Sequence, residues 1–212
     1  ASGPSLNLCK PDKETLYITT NSSYLFLNGK YDFVHIIKDL GFLNKFLLFG
    51  LKHNPKLLII EVPTHSNGLG YGKKTLTVIN KYLRKKKYNF PIVISNNENL
   101  ININSKKYYN KRSKFTVEKI GLKNPDTNSG LMIYAYGFWL TETNANIEKC
   151  SIYGLDAGEG GKRYFNNLKT LPNHVAMRDH NKIEMGKFIE ICQSKMPSIK
   201  NYSYFKNNIN KE

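Results

Sequence analysis

The chain has 212 residues, a net charge of +16, 40% hydrophobic residues and 12% aromatic residues. That apolar share supports one packed domain, or one domain with a small lid, and excludes a disordered chain. The positive charge draws polyanions (nucleic acid, anionic lipid heads, phosphorylated or acidic substrates) and names no reaction.

The three cysteines, Cys9, Cys150 and Cys192, are odd in number and show no CxxC spacing. This argues against a disulfide scaffold and a zinc site, and a reducing compartment is the simple reading. No run of about 18 apolar residues is present, and no signal peptide is visible. The opening "ASGPSL" reads as a turn and not as a natural start, so a strand or an anchor is expected ahead of it. The expected location is cytoplasmic or membrane-associated.

Taken in chain order, "TLYITT" (15–20), "FVHII" (33–37), "KLLIIEV" (56–62), "PIVIS" (91–95) and "CSIYG" (150–154) read as buried strands. Between them lie helical patterns, "DLGFLNKFLLFGLKH" (39–53), "KKTLTVINKYLRKKKYN" (73–89) and a buried helix from Leu131. Strands alternating with helices predict an α/β fold, with a parallel sheet and helices on both faces. Ligands then bind at the carboxyl ends of strands, near a topological switch point. Those ends carry Asn21-Ser22-Ser23, Lys38-Asp39 and Leu155-Asp156. A last helix is expected from Asp179, with Met185, Phe188, Ile189, Cys192 and Met196 as its apolar stripe. The expected division is a core over 1–156, a lid over 157–179, a core helix over 180–196 and a basic tail over 197–212.

Five segments invite chemistry. "HSNGLGYGKKT" (65–75) sits where a phosphate loop would, but Asn67 replaces the first glycine of that spacing and Lys74 the magnesium-binding hydroxyl. Its glycines, 68, 70 and 72, also miss the dinucleotide pattern, so a loop over a site or a plain turn is the reading. "KYLRKKKYN" (81–89) and "KKYYNKR" (106–112) mix cations with rings, which suits either stacking on a nucleic acid or a solvated helix face. His180 shares a helix face with Glu184, four residues on, without forming HExxH. Ser129-Gly130 opens a helix, where free N–H groups favour an anionic or carbonyl-rich ligand; capping by Asn128 or Ser129 is the alternative.

The segments "ASGPSLNL" (1–8), "TTNSS" (19–23), "NSGLMI" (128–133) and "CSIYGLD" (150–156), followed by Tyr164 and His180, resemble in their order the bacterial sialyltransferases of glycosyltransferase family forty-two. The animal sialyltransferases share a related Ser/Thr-Gly helix and Tyr-Gly strand end. The resemblance runs from residue 2 to about residue 192. It implies a Rossmann-like sheet and metal-independent, inverting transfer from a CMP-linked sugar, with no cofactor, onto a glycan or glycolipid acceptor. It places Gly3 and Ser5 at the phosphate and ribose, Asn21 at the nucleotide sugar and Asp39 beside it. It places Ser129 and Gly130 at the nucleotide, and Gly154 and Asp156 at the cytidine. Tyr164 would hydrogen-bond the departing phosphate, and His180 would be the general base. Three positions depart from the family: Gly158 stands for a second Tyr, Asp126 for an Arg, and Ser2 or Ala1 for the Asn of the opening glycine turn, with Lys162 and Arg163 the cations on the 157–165 loop. An anionic membrane surface is a further expected partner of so basic a chain. The rival readings are a basic nucleic-acid-binding protein and a non-catalytic nucleotide- or glycan-binding relative.

Overall fold

A computed structural model of the chain describes residues 1–62, 77–82, 88–96, 129–156 and 179–204. It is a mixed α/β fold, and the chain groups into two compact units, one of residues 11–111 and the other of 1–10 with 112–212. This division falls inside the stretch expected to form one core.

The first unit is built on a four-stranded parallel sheet. Its strands are β1 (Tyr17–Thr20), β2 (Phe33–Ile37), β3 (Leu57–Val62) and β4 (Ile92–Asn96), in that spatial order. Each pair is in parallel register: Thr20 faces Ile36, Ile37 faces Ile60, and Val62 faces Asn96. The carboxyl ends therefore share one edge. Because the order runs in a single direction, the expected switch point does not fall among these four strands. The near-continuous apolar runs follow from burial on both faces, and Phe33, Ile36, Ile37, Leu58 and Ile60 are buried. Parallel strands need crossovers of a dozen or more residues. Helix α1 (Tyr24–Leu27) lies in the first, and α2 (Leu40–Lys45) opens the second. The second crossover was expected to be one helix over 39–53. Instead α2 passes into a π-turn, Phe46–Gly50, and a 3-10 turn, Leu51–His53. Residues 77–82 are helical, inside the stretch expected as a helix.

The second unit packs helix α3 (Ser129–Thr143) and helix α4 (Asp179–Lys195) with a two-stranded parallel sheet, β5 (Cys150–Ile152) and β6 (Ile199–Asn201). Strand β6 lies in the stretch expected as a tail, so the tail is corrected at these residues. It pairs Cys150 with Ile199 and Ile152 with Asn201. The core joins Tyr134, Ala135 and Phe138 of α3 to Ile152, Leu155, Phe188, Ile189, Met196 and Ile199. Tyr134 meets Phe188 edge to face at 5.4 Å between centroids. At Gly137 α3 runs close to β5: a Cβ there would stand 3.0 Å from the Cys150 sulfur. Of the stripe expected on α4, Phe188, Ile189 and Met196 are buried.

Candidate functional site

At the end of β1 the backbone turns sharply. Ser23 Oγ accepts from Thr20 N at 2.9 Å and donates to Thr20 O at 2.7 Å, and Ser23 N also donates to Thr20 O. The turn needs a left-handed residue, and Asn21 supplies it at φ 52°. Asn tolerates that conformation better than most side chains. The turn buries Ser22, only 3% exposed. Ser22 Oγ and Asn21 Oδ1 are both shielded from solvent and have no hydrogen-bond partner among the described residues. A buried polar atom left without a partner costs about 1–3 kcal/mol. Such an atom is met by an ordered water, an ion or a ligand, or is carried at that cost. Asn21 was expected at the nucleotide sugar. Ser22 was quoted within the same motif and assigned no role; its hydroxyl gave no signal until burial was known.

Asp39 follows the next strand end. Its Oδ1 accepts from Phe42 N at 3.1 Å and its carbonyl from Leu43 N at 2.9 Å, so it is the N-cap of α2. Capping accounts for an Asp at this position without a ligand.

In the other unit, four expected residues meet. Gly3 N donates to Gly154 O at 2.8 Å, and Ser5 N donates to Asp156 Oδ2 at 2.8 Å. Ser5 Oγ donates to Asp156 Oδ1 at 2.5 Å and accepts from Gly154 N at 2.8 Å. Tyr204 N completes the set, donating to Asp156 Oδ1 at 2.6 Å. Asp156 is 2% exposed, and its carboxylate is held by three donors of its own chain. Both glycines are required by space. A Cβ on Gly3 would collide with the Asp156 carboxylate, and one on Gly154 with the carbonyl of Ala1. Gly154 also adopts φ 77°, which side chains resist. Ser203 Oγ accepts from Leu155 N at 2.9 Å, and so ties the C-terminal segment to the same corner. No protein-family model matches this chain, and neither a curated protein nor a solved structure does.

The remaining expected residues sit as follows. Ser129 and Gly130 are the first described residues of helix α3. His180 is in the first turn of α4. Tyr164, the 65–75 loop, the 106–112 run and the lid over 157–178 lie outside the described residues. No helix among the described residues is long and apolar enough to cross a membrane.

One titratable group escaped the sequence reading. His35, in the middle of β2, is fully buried. Its Nδ1 lies 2.8 Å from Thr19 Oγ1, and its Nε2 has no partner. Phe46 packs on the ring at 4.2 Å, and Tyr24 and Phe33 approach edge-on at 5.0 and 6.3 Å. Burial in this apolar cage lowers the imidazole pKa to about 3, and the Thr19 contact offsets only part of the shift. Burial likewise raises the Tyr24 hydroxyl to about 12. His35 is therefore a neutral core residue, held too far from neutral pH for general base work.

Proposed function

We propose that the protein is a glycosyltransferase that moves sialic acid, or a related sugar, from a CMP-activated donor to a glycan or glycolipid acceptor with inversion. The observation that carries this reading is the turn after β1, where Asn21 and Ser22 keep buried polar atoms with no partner. They stand at the carboxyl edge of a parallel sheet, where α/β proteins bind ligands. The motif order gives the ligand its class. The reading completes the fold as Rossmann-like, with helices on both faces.

In the transfer step the acceptor hydroxyl oxygen bonds to the anomeric carbon as the bond from that carbon to the CMP phosphate oxygen breaks. The bonding pair leaves with the phosphate, and His180 takes the hydroxyl proton. A base of this kind contributes roughly 10²–10⁴-fold. Tyr164 donates to the departing phosphate, and the free N–H groups at Ser129 and Gly130 add donors from a helix start. In this reading Asn21 and Ser22 hydrogen-bond the donor. Gly3, Ser5, Gly154 and Asp156 bond to one another and close their own corner of the second unit.

The test is thermal unfolding with CMP, UMP, GMP, AMP, ATP and a short DNA duplex. A ligand at 100 times its Kd adds about 2.7 kcal/mol. A shift with CMP alone supports the reading. CMP-sialic acid turnover then tests the chemistry, and His180→Ala should cut it by at least about 10²-fold with donor binding kept. No shift with CMP, beside a salt-sensitive shift with DNA, would replace the enzyme reading with the nucleic-acid one.

A further inference from the structure

The π-turn after α2 exposes two large apolar neighbours. Leu48 is 53% and Phe49 66% exposed, while Phe46 and Leu47 beside them are 0% and 4% exposed. The cause is the wide turn: Leu51 N donates to Phe46 O, five residues back, and the extra residue carries Leu48 and Phe49 outward. The turn is held from below. Gly50 lies so close to the Phe46 ring that a Cβ there would collide with it, so the buried ring and the glycine set the turn together. Adjacent large apolar side chains on an outward turn add nothing to the core, and contiguous exposed apolar side chains mark interaction surfaces.

Charge names the occupant. Residues 11–111 carry sixteen Lys and Arg against six Asp and Glu, so this unit holds most of the excess positive charge of the chain. Close to the exposed pair, Lys52 is solvent-exposed, whereas the Lys45 ammonium is buried without a partner and is not offered to the surface. Apolar tips beside a cation, on a strongly basic body, match the boundary between headgroups and acyl chains of an anionic bilayer. We propose that Leu48 and Phe49 insert into an anionic membrane surface, with Lys52 at the lipid phosphates. This binding is peripheral, uses a turn and not a spanning helix, and does not depend on the transfer reading.

The experiment is co-sedimentation of the full chain with vesicles of mixed phosphatidylserine and phosphatidylcholine, and with vesicles of phosphatidylcholine alone. The parent chain should bind the mixed vesicles and not the neutral ones. The double variant Leu48→Ser/Phe49→Ser should lose at least about tenfold in affinity, since it removes two apolar side chains from the lipid contact. Both residues are exposed, so its melting temperature should match the parent's. As a second readout, Phe49→Trp should add emission that shifts to the blue with mixed vesicles only. A double variant that binds as well as the parent would show that charge alone carries binding, and would overturn the insertion. Failure of the parent to bind mixed vesicles, with salt-sensitive binding of a DNA duplex, would overturn it as well and assign the charge to nucleic acid.

Discussion

Two polar clusters carry most of the residues expected to hold the donor, and they are built in opposite ways. Around Asp156 every donor meets an acceptor of the same chain: Ser5 N, Ser5 Oγ and Tyr204 N all point at one carboxylate. After β1, Ser22 Oγ and Asn21 Oδ1 are also hidden from water but have no partner among the described residues. A saturated carboxylate stabilises a fold. An unsaturated, preorganised pair costs stability and keeps its bonding capacity for something else. Similar sequence signals, a short polar motif at a strand end, thus stand for structural closure in one unit and for a candidate binding element in the other.

The contrast is broken most forcefully at Asp156. Asp156→Ala strands two buried donors, Ser5 N and Ser5 Oγ, and the part-buried Tyr204 N, and a buried donor costs about 1–3 kcal/mol when unpaired. A loss of roughly 3–5 kcal/mol is expected in urea unfolding. A loss under about 1 kcal/mol would mean that the carboxylate is not the closure of this corner.

A smaller effect sharpens the picture of the sheet unit. The folded imidazole of His35 has its pKa lowered to about 3, below the usual 6.5. Above pH 6.5 the residue is neutral in both states and stability is level. Below it the unfolded chain gains a proton that the fold refuses, so stability falls as pH falls towards 3. At pH 4.5 this amounts to roughly 2.5 kcal/mol. His35→Phe has no such proton, and its stability should decline less steeply between pH 6.5 and 4.5. Parallel acid limbs for the parent and the variant would place the acid sensitivity elsewhere.

The smallest effect on stability is expected at Ser22, and it is the most telling. Ser22→Ala removes an orphan hydroxyl, so unfolding free energy should stay level or rise by up to about 1 kcal/mol. CMP affinity should fall about tenfold, the worth of one good hydrogen bond. A variant that loses stability and keeps CMP affinity would make Ser22 a structural residue like Ser5.

Much of the first unit was legible in the sequence because a buried parallel strand writes its burial as an apolar run. The segment 33–37 matches β2 to the residue, and the other three strands of that sheet lie within two residues of their expected bounds. Strand β6 was not legible: Ile199–Asn201 is too short to show a period and carries one buried apolar residue. The helix over 39–53 was legible as helical, but the π-turn within it depends on how the Phe46 ring meets Gly50. The candidate site divides in the same way. Gly154 and Asp156 announced themselves by type and place, whereas no local pattern distinguishes the bonded Ser5 from the unbonded Ser22.

The amino-acid order by itself determined the four strands of the first sheet, the polar residues at their ends and the positive charge. These rest on local period, local residue type and composition, which need no partner to be read. Tertiary structure alone decided that Asp156 is spoken for, that Ser22 is not, that His35 is kept neutral and that Leu48 and Phe49 face outward. Each of these depends on which atoms from distant parts of the chain come within about 3–4 Å, the range over which hydrogen bonding and packing act.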